Sequence, residues 1–321
     1  MNTQVDVSII VPLYNEEGNV QELYRELHSV LDSHSCTYEI LFINDGSTDR
    51  TADLIKEICR SDPHVVVINF RRNFGQTAAM SAGFDYSRGD IVITMDGDLQ
   101  NDPADIPKLL EKIREGYDVV AGWRHKRQDP FLNRRLPSMI ANRVISWITG
   151  VVLHDYGCTL KAFRKDVAEN IRLYGEMHRF IPAIASAIGI SIAEVRVNHR
   201  PRQRGKSKYG ISRTFRVILD LITVKFLMSY SHRPIHVFGL IGMASFCLGA
   251  LISFVLIVQR QFYDIPLADR PLLLLAILLV FIGIQFVTFG LISELQIRTY
   301  HESQNKPIYY VKQVLGREST L

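Results

Sequence analysis

Two carboxylates one residue apart, Asp96 and Asp98, follow the apolar run DIVITM in the segment DGDLQNDP. At the point where a buried strand surfaces, with Gly97 allowing close approach, such a pair suits a hard divalent cation that also grips phosphate oxygens. A solvated turn with helix-capping aspartates carries the same pattern, so the pair alone leaves both readings open. Positive charge gathers in two other places. Residues 124–135, RHKRQDPFLNRR, carry Arg124, Lys126, Arg127, Arg134 and Arg135 against Asp129 alone. From Arg196 to Arg216 there are eight Lys or Arg and no Asp or Glu. Clusters of this kind suit phosphate, and arginine grips it well.

Other site chemistries are disfavoured. The cysteines, Cys36, Cys59, Cys158 and Cys247, form no CxxC pair and have no companion histidines at finger spacing. A disulfide scaffold or structural zinc therefore does not fit, whereas a reducing compartment does. With 47% hydrophobic and 22% charged residues and a net charge of +4, the chain is neither disordered nor collagen-like. Its 321 residues suggest two units.

The elements that would position these residues alternate. Short β-branched runs occur at VDVSIIVP, YEILFIN, HVVVINF, DIVITMD and YDVVAG, and between them lie amphipathic stretches such as NVQELYRELHSVL, TADLIKEIC and PADIPKLLEKIREG. This alternation predicts an α/β fold, a parallel sheet with helices on both faces. Ligands of such sheets bind at the carboxyl ends of strands, beside a switch in strand order. The polar residues ending the runs are Tyr14, Asn15 and Glu16; Asp45; Asn73; and Asp96 with Asp98.

Apolar residues concentrate towards the C-terminus. The 26 residues between Arg233 and Arg260 contain no Asp, Glu, Lys or Arg, and neither do the 23 from Pro271 to Ser293. A helix needs about 20 apolar residues to cross a bilayer, so two spans are predicted, at about 235–258 and 271–293. The short linker QRQFYDIPLADR makes them a hairpin within 234–295. The basic excess before it puts the flanks in the cytoplasm, giving a multi-pass protein of the plasma membrane with its large N-terminal domain cytoplasmic. The N-terminus lacks the pattern of a signal peptide.

Two amphipathic stretches adjoin the basic clusters. In 134–153, Ile140, Val144, Trp147, Ile148 and Val151 share one helical face; in 211–232, Phe215, Ile218, Leu219, Ile222 and Phe226 do. Either pattern is shared with core helices. A Trp-bearing apolar face beside basic residues suits a membrane-interface helix better than a nucleic-acid contact. Domain boundaries follow: a cytoplasmic domain at 1–210, the juxtamembrane helix at 211–232, the hairpin, and a cytoplasmic tail at 296–321.

The ordered motifs SIIVPLYNEEGNV, FINDGSTDRT, RRNFGQTAAMSAGF and DGDLQNDP resemble the family 2 inverting glycosyltransferases. VVAGWRHKR, the RR-LPS pattern at 134–138, DYGCTLKAFR and RQRGKSKYG narrow the likeness to the polyprenyl-phosphate branch, GtrB-like and dolichyl-phosphate mannose synthase-like. The resemblance covers about 210 residues and implies a GT-A nucleotide-sugar-binding fold. It implies that Pro12, Tyr14 and Glu16 line the nucleoside pocket, with Asp45 accepting from base or ribose. Asp96, Asp98 and Gln100 would hold Mg²⁺ or Mn²⁺. Arg202 and Lys208, in the RxxGxSK pattern, would close over the donor diphosphate. Arg124, Arg134, Arg135 and Ser138 would grip the lipid phosphate, and Asp155 would be a further acidic active-site residue, orienting the sugar or positioning a basic group.

The expected activity is hexose transfer, with UDP-glucose and undecaprenyl phosphate favoured and GDP-mannose with dolichyl phosphate next. A processive polysaccharide synthase fits less well, because there is no QxxRW segment and there are only two candidate spans. A lipid-binding scaffold without activity is the non-enzyme alternative. Gly239, Gly242 and Gly249 offer close helix packing, compatible with a homo-oligomer.

Overall fold

The computed structural model describes residues 5–34, 36–125, 146, 151–171, 181–182, 189–201, 234–263, 266, 270–303 and 309–317. Two compact units result: residues 1–224 with 307–321, and residues 225–306.

The first unit is built on an eight-stranded sheet in the order β7-β5-β6-β4-β1-β2-β3-β8. β1 (Val7–Leu13), β2 (Tyr38–Asn44), β3 (Val65–Phe70) and β4 (Ile91–Thr94) run parallel and are almost wholly buried. Burial on both faces explains their continuous Val and Ile runs. Helices α1 (Val20–Asp32), α2 (Thr51–Ser61), α3 (Gln76–Tyr86) and α4 (Ile106–Arg114) connect or follow them. α1 buries Val20, Leu23, Leu27 and Leu31, a single stripe at three- and four-residue spacing. α3 is different: small and apolar residues from Thr77 to Phe84 are nearly all buried.

Beyond α4 the sheet becomes mixed. β5 (Val119–Arg124) is parallel to β7 (Ile192–Val197), and β6 (Lys161–Arg164), followed by the short α5 (Lys165–Asn170), lies antiparallel between β4 and β5. β1 pairs with β2 on one side and β4 on the other, so the strand order reverses there, and the carboxyl ends of β1 and β4 flank a crevice.

The C-terminal residues depart from the expected tail at 296–321. β8 (Val311–Leu315) returns to the sheet, antiparallel to β3. VKQVL is short and mixed in polarity, and its partner is far away in the chain, so local pattern could not reveal the pairing. The helix expected at 211–232 lies outside the described residues, as does that at 134–153 apart from Ser146 and residues 151–153.

The second unit contains α6 (Pro234–Tyr263) and α7 (Pro271–Ser303). Phe238–Phe262 and Pro271–Ile292 are long and apolar enough to cross a membrane, and most of their side chains are not buried by protein. Gly242 and Gly249 allow close packing inside the hairpin: a Cβ on Gly242 would sit 2.7 Å from the Gly283 carbonyl oxygen, and one on Gly249 2.7 Å from that of Ala276.

Candidate active site

Residues from four strand ends meet at the crevice. Tyr14, Asn15 and Glu16 follow β1, Asp45 follows β2, Arg71–Gly75 follow β3, and Asp96 and Asp98 follow β4. Pro12, opposite Ile43 in the β1–β2 register, is half-buried, as are Tyr14 and Glu16. The Glu16 amide donates to the Thr51 hydroxyl (2.9 Å), and its Oε2 accepts from Asn19 Nδ2 (2.7 Å). Asn15 adopts φ 54°, a left-handed conformation that asparagine tolerates, while its Oδ1 accepts from the Thr48 amide (2.8 Å). The β1 and β2 loops are thus tied together.

Asp45, expected to accept from a nucleoside, is buried and accepts from protein. The Phe74 amide donates to its Oδ1 (2.6 Å) and the Gly75 amide to its Oδ2 (2.9 Å). Burial raises its pKa and these two hydrogen bonds oppose the rise. The two bonds fix the turn after β3. Gly46 is required beside it: at φ +67° and with a Cβ that would lie 2.6 Å from the Asn73 amide nitrogen, no larger residue fits without a shift.

Asp96 and Asp98 emerge at the end of β4. Gln76 Nε2, at the first position of α3, donates to Asp96 Oδ1 (2.7 Å). Thr159 hydrogen-bonds the same carboxylate, and the Thr159 hydroxyl also accepts from Asn101 Nδ2 (2.8 Å). Burial, followed by the charge of Asp98, pushes the Asp96 pKa up to about 6. The Gln100 amide donates to Asp98 Oδ1 (3.2 Å), and the Gln100 carbonyl accepts from the Arg200 amide (3.0 Å). Leu99 between them has φ 63°, a strained conformation for a branched apolar residue.

This donor set fits a divalent ion held partly by substrate. Two neighbouring carboxylates are electrostatically in want of a cation, and Mg²⁺ or Mn²⁺ needs only one or two protein carboxylates when phosphates complete the sphere. Among the described residues no group of three or more His, Cys, Asp or Glu forms a self-sufficient metal cage.

Arg124 and Asp155 form a bidentate ion pair. Arg124 Nε donates to Oδ2 (2.6 Å) and Nη2 to Oδ1 (2.9 Å); the two side chains are 15% and 3% exposed. The Gly157 amide donates to Oδ1 as well (3.1 Å). Glu194 on β7 accepts from the amides of His154 (2.9 Å) and Asp155 (3.2 Å), holding the segment in place. Burial would lower the Arg124 pKa, but the hydrogen bonds and charge of Asp155 more than reverse this. Arg124, expected on the acceptor phosphate, therefore has one edge of its guanidinium committed to Asp155. Arg134, Arg135, Ser138, Arg202 and Lys208 lie outside the described residues.

Two further groups at the site have no place in the sequence reading. Gln76 was visible only as a polar residue inside RRNFGQTAAM. Lys161, buried on β6, donates to the carbonyls of Tyr156 (3.4 Å) and Cys158, and burial lowers its pKa to about 8. A lone lysine within the apolar TLKAF was the available signal. Its charge and that of Arg124 both favour ionised Asp96.

Residues 8–172 match the family model described as glycosyl transferase family 2. The chain is 42% identical to a dodecaprenyl-phosphate galacturonate synthase of Rhizobium johnstonii, over 98% of this chain and 94% of the relative. It is 39% identical to an undecaprenyl-phosphate 4-deoxy-4-formamido-L-arabinose transferase of Shewanella sediminis, over 99% and 96%. Among solved structures, glucosyl-3-phosphoglycerate synthase of Mycobacterium tuberculosis, bound to Mn²⁺, UDP and glucosyl-3-phosphoglycerate, superposes with a TM-score of 0.54 at 16% identity, over 70% of this chain and 80% of that one. Mannosyl-3-phosphoglycerate synthase of Rubrobacter xylanophilus gives 0.56 at 15% identity, over 69% and 74%. The mixed sheet is thus of the GT-A type, and with the family model over half the chain and relatives aligned along nearly all of it, this chain belongs to glycosyltransferase family 2.

Proposed function

We propose that this enzyme moves a sugar from a nucleotide-diphosphate donor onto a polyprenyl phosphate, with inversion, at the cytoplasmic face of the plasma membrane. The observation that carries this reading is the 42% identity to a dodecaprenyl-phosphate galacturonate synthase over 98% of the chain, well past the matched residues 8–172 and through both apolar helices. UDP is the favoured nucleotide and undecaprenyl phosphate the favoured lipid. For the sugar, galacturonate and 4-deoxy-4-formamido-L-arabinose, named for the relatives, join glucose at the head of the candidates.

Asp96 and Asp98, with Gln100, would hold the divalent ion, which when bound supplies positive charge to the diphosphate as the glycosidic bond breaks. Gln76 and Thr159 orient the Asp96 carboxylate through hydrogen bonds. Pro12, Tyr14 and Glu16 line the nucleoside side of the crevice. The acceptor needs little general-base help, because a phosphate monoester with a second pKa of about 6 is already mostly ionised at neutral pH. Its requirement is placement against the donor without electrostatic rejection. Arg134, Arg135 and Ser138 serve that placement, Arg202 and Lys208 cover the diphosphate, and Asp155 holds Arg124 at the edge of the site. Orientation is supported by the eight basic residues before the hairpin. β8 adds that both flanks of the hairpin lie on the same side, since residues before and after it belong to one sheet and an even number of crossings must separate them.

The test is transfer of radiolabel into organic-extractable lipid. UDP-galacturonate, UDP-4-deoxy-4-formamido-L-arabinose, UDP-glucose and GDP-mannose are each offered with undecaprenyl or dolichyl phosphate. One UDP-sugar with undecaprenyl phosphate should dominate; label appearing only on water-soluble acceptors would refute the reading.

A further inference from the structure

The chain beyond the second apolar helix returns to the sheet at the end where the donor site lies. β8 runs antiparallel to β3 with Val311 opposite Phe70, so the residues just before it, Tyr309 and Tyr310, stand at the carboxyl end of β3. Tyr309 is 4% exposed; its ring stacks on Phe70 with centroids 5.1 Å apart and planes 14° from parallel, and its hydroxyl donates to Asp85 Oδ2 on α3 (2.8 Å). The Arg71 amide donates to the Tyr310 carbonyl (3.1 Å), and the Tyr310 ring lies 6.0 Å from that of Phe74. Phe70, Arg71 and Phe74 are each held by one of these two tyrosines.

Three hydrogen bonds reach the site from this turn and the first residue of α3. The Phe74 and Gly75 amides donate to Asp45, and the next residue, Gln76, donates to Asp96. A five-residue turn without regular structure loses much conformational freedom when ordered, and anchors that order it in advance strengthen binding at the groups it carries. We infer that the C-terminal strand is a working part of the donor site: Tyr309 and Tyr310 are positioning residues that set the β3–α3 turn and, through Gln76, the Asp96 carboxylate. This rests on the donor-site reading above and extends it to a segment outside the matched residues 8–172. The contacts form one continuous network, and replacing one anchor should move a property of the other end.

The experiment uses full-length enzyme carrying Tyr309→Ala, Tyr309→Phe or Tyr310→Ala. Binding of UDP, GDP and CDP in the presence of Mn²⁺ is measured by calorimetry, and KM is measured separately for donor and lipid acceptor. Tyr309→Ala should weaken binding of the preferred nucleotide and raise donor KM roughly tenfold, the scale of one lost aromatic stack. Tyr309→Phe, which keeps the stack on Phe70, should recover most of that loss, and acceptor KM should stay within about twofold throughout. A general loss of structure would instead move both KM values. Should Tyr309→Ala not fold, Tyr310→Ala decides alone: Tyr310 is 69% exposed, so its replacement leaves the core intact, and an increase of about threefold in donor KM is expected. Unchanged nucleotide binding in the folded variants, or an equal rise in acceptor KM, overturns the inference while leaving the transferase reading standing. Failure of the wild-type enzyme to bind any of the three nucleotides overturns the donor-site reading, and the inference with it.

Discussion

The Arg124–Asp155 pair gives the most decisive perturbation, because it is buried and its arginine lies within electrostatic reach of Asp96. Asp155→Ala would leave a guanidinium only 15% exposed without the bonds at 2.6 and 2.9 Å that now satisfy it. Removing one member of a buried pair typically costs about 3–5 kcal/mol, most of it the penalty of the abandoned charge. For a unit of this size, about 2–4 °C per kcal/mol converts that loss into a melting temperature lower by roughly 6–20 °C. Arg124→Met should be similarly harmful, since the buried Asp155 carboxylate would lose both guanidinium donors, at 2.6 and 2.9 Å. The double variant, with neither charge, should recover at least about 2 kcal/mol relative to the sum of the single losses. The assay is thermal unfolding of the four proteins in one detergent at one pH, scored as a double-mutant cycle. Single losses below about 1 kcal/mol that simply add would refute the reasoning, and would return Arg124 to service as a mobile phosphate ligand.

Three other outcomes are expected. Excess EDTA should stop turnover, and Asp98→Ala should nearly abolish it without lowering the melting temperature; full activity in EDTA would contradict a metal on the aspartate pair. Asp96→Asn should abolish turnover yet stabilise the metal-free protein. Burial and Asp98 raise the Asp96 pKa to about 6, so the folded protein binds the proton more tightly than the unfolded chain. The resulting penalty is full above about pH 6, on the order of 2–3 kcal/mol, and vanishes as pH falls towards the unfolded value near 4. The stabilisation should therefore be present at pH 7.5 and absent near pH 4, and an equal gain at both would be inconsistent with it. In a cysteine-free background, Pro266→Cys should label from outside intact cells and Lys312→Cys should not, and the reverse pattern would invert the proposed orientation.

How far the sequence reveals these features depends on the range of the interactions. VSIIVPL, YEILFIN, VVVINF and IVIT are legible as β1–β4 because central parallel strands are apolar on both faces, and the polar residue closing each run marks the crevice. β6, β7 and β8 are not legible: KAFR, IAEVRV and VKQVL are short and mixed, and Ala162 finds Ile93 and Val120 only through tertiary structure. Asp96 and Asp98 stand out because spacing and chain context together mark them. The partners of Asp45 were invisible, since the amides of Phe74 and Gly75 that it accepts from lie 29 and 30 residues away in the chain. The Arg124–Asp155 pair likewise joins residues 31 apart that were both recognisable as functional, but whose contact was not.

The site loops hold features that would be unfavourable elsewhere: two like charges close together and a left-handed leucine at position 99. What keeps them in place is over-determination by neighbours. Leu99 is buried, and the segment after it is clamped by Arg200, whose amide donates to the Gln100 carbonyl (3.0 Å) while its guanidinium reaches Glu26 (2.8 Å) and Asp102 (2.7 Å). Asn198 Nδ2 adds a bond to Asp102 (2.9 Å). On the opposite side Gln76 fixes Asp96 from a helix that is itself packed into the core. The carboxylates are therefore held close together by the fold before any cation arrives. A cation entering such a site relieves repulsion without having to reorganise the loop, which is the condition under which electrostatic stabilisation is largest. The same argument explains why the aspartates sit on the tail of a central strand: an exposed loop without these clamps would relax, separate the charges and forfeit that gain.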